Sequence, residues 1–208
     1  MSNTHTSTGV VIQMPISIQS MQNSIADELL YHRESLRHGQ LIPKRSCIDP
    51  RTLKKSLNYT FISEQHPTGD LRFRQAGSKV CDFMGMELRG MPIQALIDLK
   101  DRNQFRSALQ RMQETPEILD IRLTEGARLI LLPLTDEENV INRVLGCLIA
   151  NPDLRVFPAC MGILSISGKR IVNAPTPKAL EIAEAQTPFL TRIKKATQSG
   201  PPILKLIQ

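Results

Sequence analysis

The sequence predicts an α+β fold: a five-stranded antiparallel sheet with short helices on one face, a flanking N-terminal helix and a C-terminal extension. Three observations support this prediction. Two short runs rich in β-branched or aromatic residues are separated by the turn-forming residues 66–69. A glycine-punctuated stretch then leads into one helical pattern. Three strand-like runs follow within residues 118–150.

The N-terminal region divides into an arm and a helix. Residues 1–22 are rich in Ser, Thr, Gln and Asn, so they bury too little apolar surface to offset the entropy of ordering. We expect a disordered arm there. Ser24 is suited to cap a following helix, whose apolar residues Ile25, Leu29 and Leu36 recur near helical spacing. This apolar face needs a partner surface, so it is a candidate interface.

The first two strands are predicted at 57–63 and 70–76. Both runs are short, and the intervening His66-Pro67-Thr68-Gly69 is typical of a turn. We therefore expect an antiparallel hairpin.

The middle of the chain is predicted to be helical. Residues 77–99 are interrupted by glycine and proline, which suits several short helical turns. Residues 101–114 place Phe105, Leu109 and Met112 along one face of a longer helix. That face should pack against the sheet.

The last three strands are predicted at 118–124, 128–134 and 144–150, and the pattern ends near residue 151. The chain thus divides into the arm 1–22, a domain with its N-terminal helix at 23–151, and an extension at 152–208. In the extension we expect a hairpin around Gly168-Lys169 and, further on, a basic amphipathic helix.

Four short motifs resemble those of the PAS-domain proteins abundant in alphaproteobacteria. They are Leu41-Ile42-Pro43-Lys44-Arg45, Ile48-Asp49-Pro50, the run Arg72-Phe73-Arg74-Gln75-Ala76-Gly77, and Arg143-Val144-Leu145-Gly146. The resemblance is spread over about half the chain. It implies a PAS-like sheet that, with its short helices, encloses a small apolar pocket, and a role in sensory signalling.

The resemblance also implies where a ligand would lie. The candidate pocket lining is Phe73, Ala76, Val80, Phe83, Met84, Leu88, Ile93, Leu96, Phe105 and Leu109. Arg72 and Arg74 alternate on one strand, so they should share a face. There they either form surface charge pairs or contact a polar ligand group or a partner chain. Most of the apolar set equally suits an ordinary core without a ligand.

Composition limits the class of protein. The chain of 208 residues is expected to hold one domain, and its net charge of +6 is concentrated in residues 152–208, with 8 Lys and Arg against 3 Asp and Glu. Four separated cysteines without a CxxC pair predict reduced thiols in the cytoplasm. No apolar run reaches the roughly 18 residues of a membrane span. With no Trp and two Tyr, a nucleic-acid surface is not favoured.

Catalytic, metal and coloured-cofactor sites lack their usual patterns. There is no nucleophile elbow, HExxH helix or phosphate-binding glycine loop. The segment beginning at Cys81 lacks the asparagine and glutamine of the flavin-binding light-sensor loop. The histidines all lie outside 77–114, where a haem ligand would be expected, and His32 and His38 are six residues apart, which does not suit shared metal ligation. We predict no cofactor and no enzymatic activity.

The sequence therefore predicts a cytoplasmic PAS-like signalling module that acts through ligand binding or protein association. We expect a homodimer, a signalling partner of unknown identity and a small apolar ligand. One alternative is a scaffold protein with a fully packed, ligand-free core. The other is a DNA-associated regulator that uses the basic tail.

Overall fold

The computed structural model of the protein describes residues 18–37, 39–150 and 160–172. Residues 1–17 of the predicted arm 1–22, and the predicted basic helix within residues 173–208, lie outside the described residues. The helices are α1 (Ile18–Leu36), α2 (Ser78–Met84) and α3 (Arg102–Glu114). The strands are β1 (Thr60–Gln65), β2 (Leu71–Ala76), β3 (Glu117–Leu123), β4 (Arg128–Thr135), β5 (Ile141–Ile149) and β6 (Ile163–Arg170).

The strands form one antiparallel sheet in the order β2-β1-β5-β4-β3-β6. The five predicted strands are present, although the run 57–63 begins with a 3-10 turn, Leu57–Tyr59, before β1 starts at Thr60. Most residues of β4 and β5 are buried because the sheet is covered on both faces at its centre. The α+β fold with an antiparallel sheet is confirmed.

A sixth strand lies beyond the predicted domain boundary at residue 151. The predicted hairpin around Gly168-Lys169 is wrong, because β6 runs straight through both residues and pairs them with Leu119 and Ile118 of β3. The pairing is non-local, so the short pattern in β6 could not reveal it. β6 is one edge of the sheet and β2 is the other.

Each face of the sheet has its own apolar core. We call the face that carries α2 and α3 the inner face, and the face under α1 the outer face. Inner-face residues such as Phe73, Leu119 and Leu131 pack with Val80 of α2 and Phe105 of α3. On the outer face, a second cluster joins α1 to β4 and β5.

Helix α1 begins at Ile18, six residues before the predicted cap at Ser24. Gln22 explains much of this difference, because it is buried and its side-chain amide donates to the carbonyl oxygens of Gly126 at 2.6 Å and Ile149 at 3.3 Å. A polar residue is thus ordered by backbone acceptors of the sheet. The predicted disordered arm therefore cannot extend to residue 22.

The apolar face of α1 is covered by the sheet of the same chain. Ile25 and Leu29 are 4% and 0% exposed, and Leu36 is partly buried against the same cluster. Their helical spacing predicts a candidate interface with another chain, because spacing alone does not reveal that the outer face of the sheet lies beneath them. In the described structure they form an intrachain core.

The buried face of α3 also differs slightly from the predicted one. Phe105, Ala108 and Met112 are buried, whereas Leu109 is only partly buried. At the end of α2, Gly85 adopts φ 68°, a left-handed conformation that glycine accepts without a Cβ penalty. That turn leads the chain into the loop that contains Arg89.

Candidate functional site

The residues predicted to line an apolar pocket do come together. Seven of the ten are at most 2% exposed, and Ala76, Phe83 and Leu109 are partly buried around them. The rings of Phe61 and Phe73 meet edge to face with their centroids 4.8 Å apart. These side chains pack on one another in the inner core, which is the arrangement expected of a ligand-free interior.

Arg72 and Arg74 of β2 both line a surface groove of about 350 Å³ beside Arg89 and Gly90. Arg72 donates from Nη1 to the Gly90 carbonyl at 3.0 Å, which fixes the neighbouring loop. Arg74 instead pairs with Glu64 of β1. The two predicted polar residues are therefore brought to the same groove but have different partners.

An arginine-lined cleft of about 310 Å³ opens on the outer face of the sheet near the β2 edge. We call it the arginine cleft. It is lined by Arg45, Ile62, Glu64, Arg74, Gln75, Arg89 and Arg143. Four guanidinium groups thus surround a single carboxylate.

Strand pairing creates the centre of the arginine cleft. Glu64 of β1 lies opposite Arg143 of β5 in the sheet register. Each of its two carboxylate oxygens accepts a hydrogen bond from a different arginine. Oε1 accepts from Arg143 Nη2 at 2.9 Å, and Oε2 accepts from Arg74 Nε at 2.9 Å. The carboxylate is therefore shared by two arginines and does not fully neutralise them.

Among the described residues, one of the other two arginines of the cleft makes a long hydrogen bond and the other makes no hydrogen bond or ion pair. Arg45 comes from the 3-10 turn Arg45–Cys47 and reaches Gln75 Oε1 at 3.5 Å. Arg89 is exposed and, among the described residues, has no hydrogen-bond or ion-pair partner. A guanidinium group without a partner favours binding of a carboxylate or phosphate group, because two oxygens of such a group accept hydrogen bonds from two of its coplanar N–H donors.

An apolar groove of about 470 Å³ adjoins the arginine cleft and shares Ile62, Arg74, Gln75 and Arg89 with it. The carbon-rich part of its lining consists of Ile48, Pro50, Leu53, Leu57, Phe61, Ala76 and Leu145. Glu87 also lies on its rim. Together the two depressions offer positive charge beside an apolar wall.

Sequence reasoning found only one member of the arginine cleft, Arg74. Arg45 and Arg143 stand in the quoted motifs, but they are nearly one hundred positions apart. Arg143 reaches the cleft because β5 pairs with β1, whereas Arg45 reaches it from the 3-10 turn Arg45–Cys47. Arg89 belongs to no quoted motif. A repeated arginine in three of the four motifs was the available signal.

Two of the four cysteines, Cys81 and Cys147, have thiols of raised pKa. Burial raises the pKa of the Cys147 thiol to about 12, and burial followed by the Glu87 charge raises the pKa of Cys81. Both thiols are thereby kept protonated and weakly nucleophilic. Within residues 18–37, 39–150 and 160–172, no group of three or more His, Cys, Asp or Glu side chains is placed to hold a metal ion.

A family model described as a PAS domain matches residues 21–149. No curated protein matches the sequence. Among solved structures, the chain is similar to a light-oxygen-voltage domain studied with a flavin analogue, at 18% identity and a TM-score of 0.37, over 50% of this chain and 84% of that chain. It is also similar to the dark structure of the blue-light photoreceptor Aureochrome1 LOV, at 15% identity and a TM-score of 0.36, over 49% and 80%. None of the helices described here is both long and apolar enough to span a bilayer.

Proposed function

Because the chain belongs to the PAS domain family, we propose that it is a sensory signalling module that acts by association with a ligand or another protein and not by catalysis. The observation that carries this proposal is the arginine cleft, where four arginines surround one glutamate on an open face of the sheet. Charged groups left without partners at a surface are suited to recognition.

The dense packing of the inner core favours a recognition site on the outer face of the sheet instead of inside the protein. Phe73, Leu88 and Phe105 are each 0% exposed and belong to one packed cluster. A ligand inside this cluster would have to displace side chains, and overpacking a dense core costs on the order of 1–3 kcal/mol. The packing thus favours the ligand-free core of the scaffold alternative, whereas the arginine cleft supplies a recognition surface.

The proposal also includes the source of the protein, its location in the cell, its oligomeric state and its ligand. The motifs suggest an alphaproteobacterial member of the family, and the four separated cysteines suggest the cytoplasm. A homodimer would have to use a surface other than Ile25 and Leu29, since both are covered within the chain. A small apolar ligand would fit the apolar groove better than the packed interior.

Replacement of the cleft arginines in the native host tests the proposal. The double substitution Arg74→Gln and Arg89→Gln removes two charges from exposed side chains, so it should leave the fold intact. We expect it to reproduce much of the change in transcript profile caused by deleting the gene, at equal protein abundance. The double substitution Arg106→Gln and Arg111→Gln is the matched control, because it also removes two positive charges from exposed side chains, and both lie on α3, which covers the inner face.

Two results would contradict the signalling role. One is a deletion that leaves the transcript profile unchanged. The other is a cleft variant whose profile matches the wild type while the deletion alters it. Mass spectrometry of the purified native protein separately tests for a small molecule, and we expect no flavin or haem.

A further inference from the structure

We propose that the arginine cleft and the adjoining apolar groove together bind an acidic segment of a partner protein that also carries an apolar anchor residue. The inference rests on the proposed function and names the chemistry of its partner. The two depressions meet at Ile62, Arg74, Gln75 and Arg89, so one extended segment can contact both.

The charge of the arginine cleft requires a negatively charged occupant. Its lining residues carry four positive charges and one negative charge. Glu64 already accepts from Arg74 and Arg143, while Arg89 has no partner among the described residues and Arg45 reaches only a neutral amide. Asp or Glu side chains of a partner would provide the missing acceptors, with the bidentate geometry that arginine favours.

The apolar groove requires an anchor residue. Its wall includes Ile48, Leu53, Ile62 and Leu145, and the groove lies beside the positive charge. Leu57 at its margin is 40% exposed, so apolar surface is available to a partner. Interfaces commonly place one apolar anchor in a pocket with charged contacts around it.

The exposure of the arginines favours a protein segment over a small free anion. The side chain of Arg74 is 60% exposed and that of Arg143 is 32% exposed. A small anion would leave these groups in water, where ion pairs are weak and screened by salt. A protein segment would cover several arginines at once. The groove beside Arg72 shares Arg74 and Arg89 with the arginine cleft, so it extends the surface on which such a segment can bind.

The sequence segments outside the described residues lack the required charge. Residues 1–17 contain no Asp or Glu, residues 151–159 contain one Asp and one Arg, and residues 173–208 contain 5 Lys and Arg against 2 Glu. Two carboxylates of the described acidic loop Asp136-Glu137-Glu138 already have partners. Glu137 pairs with Lys44 at 3.3 Å, and Asp136 accepts hydrogen bonds from backbone N–H groups of its own turn. The complementary segment is therefore assigned to another protein.

A displayed library of random twelve-residue peptides tests this assignment. The immobilised full-length protein is the target, and the Arg74→Gln, Arg89→Gln variant is used for counter-selection. We expect enriched peptides to carry an excess of Asp and Glu together with at least one large apolar residue. A synthetic peptide of the enriched sequence should bind the double variant about tenfold more weakly or worse. It should bind the Arg106→Gln, Arg111→Gln control, which also lacks two positive charges, as it binds the wild type.

The dependence of peptide binding on salt and on the peptide sequence completes the test. Raising the ionic strength from about 0.05 M to about 0.3 M should weaken the peptide several-fold, because exposed charges are screened. Replacing the acidic residues of the peptide by Asn and Gln should abolish binding, and replacing its apolar residue by Ser should weaken it. If the double variant loses structure, the single substitution Arg89→Glu at the unpartnered position replaces it.

The inference is overturned if selection enriches neutral or basic peptides, if no sequence is enriched, or if acidic peptides bind the double variant as well as the wild type. It is also overturned if citrate or inorganic phosphate protects the cleft arginines from chemical modification and no peptide does so. Any of these results alongside an altered transcript profile of the cleft variant would retain the proposed function and reject only the partner chemistry. An unchanged profile would reject the proposed function itself.

Discussion

The ring of Phe61 on β1 lies directly over Gly146, its register partner on β5. A Cβ at position 146 would overlap the far edge of the ring, so glycine is required there for space. The same ring meets Phe73 edge to face, which ties β2, β1 and β5 together on the inner face. One glycine thus allows two aromatic rings to fill the end of the inner core.

Gly146→Ala should destabilise the protein by about 1–3 kcal/mol, because the added methyl group overpacks the site beneath Phe61. Urea unfolding followed by circular dichroism measures the change. In a Phe61→Leu background the same substitution should cost much less, as the double-mutant cycle then removes the clash. An equal cost in both backgrounds would mean that the ring is not the cause.

Gly69→Ala offers a contrast that separates space from backbone conformation. Gly69 has φ 86° and no neighbouring atom within 4 Å of a Cβ position. Its substitution should cost roughly 1–2 kcal/mol through left-handed strain alone. That cost should not change when Phe61 is replaced by Leu.

Phe105→Ala should lower the free energy of unfolding by about 3–5 kcal/mol, because Phe105 is fully buried between α3 and the sheet. Leu109→Ala, one turn further along the same helix, should cost only about 1 kcal/mol, since Leu109 is partly buried and borders a surface cleft. Chemical denaturation of both variants checks the difference. Equal costs would show that the two residues are buried alike.

Local patterns predicted most of the elements, and non-local pairing explains the rest. The runs that became β3, β4 and β5 were recognised from their apolar residues and the turns between them. The helix start at Ile18 was missed because Gln22 is held by carbonyl groups 104 and 127 positions away in the sequence. Ile18 and Met21 continue the helical spacing of Ile25 and Leu29, and Met21 packs against the same cluster, but a glutamine between them gives no local sign of its burial.

The same distinction applies to the candidate site. Arg72 and Arg74 were selected because alternation along one strand is a local property. Glu64, Arg89 and Arg143 could not be added, since their meeting depends on the strand register and on the path of a loop. The inner core was identified well as a set, but whether it encloses a ligand depends on packing, which the pattern does not specify.

Leu29→Ala should destabilise the protein by about 2–5 kcal/mol without changing its oligomeric state, because Leu29 is buried against the sheet of its own chain. Tyr31→Ala on the exposed side of α1, where Tyr31 is 79% exposed, should change stability by less than about 0.5 kcal/mol. Urea unfolding and light scattering provide the two measurements. Loss of a dimer at unchanged stability would instead assign Leu29 to an interface between chains.

Alkylation should distinguish the cysteines of the native protein. Cys47 and Cys160 are exposed, whereas burial raises the pKa of the Cys147 thiol to about 12. At about pH 8, iodoacetamide should modify the two exposed thiols and leave Cys147 unmodified until the chain is unfolded, because only the accessible thiolate reacts. Peptide mass spectrometry over time gives the rates. Native-state modification of Cys147 at the rate of Cys47 would show that β5 opens readily.

Stability should fall in acid partly through His32 of α1. Burial lowers the pKa of this imidazole, although the carboxylates of Asp49 and Glu28 oppose the effect, and the Thr52 hydroxyl lies 3.2 Å from its ring nitrogens. Because the unfolded chain takes up the proton near its ordinary value of about 6.5, it binds more protons than the folded chain just below that pH. The contribution of neutral His32 is therefore complete above the unfolded pKa and decreases as the pH falls toward the lowered folded value.

His32→Gln should remove this part of the pH dependence while it retains a side chain able to bond Thr52. Urea unfolding of wild type and variant between about pH 7.5 and pH 5 measures it, because carboxylates common to both proteins cancel in the difference. The wild type should lose more stability than the variant over this interval, and the excess loss should begin near the unfolded pKa of histidine. Identical losses in the two proteins would mean that folding does not disfavour protonation of His32, and that the contact with Thr52 leaves the ring open to water.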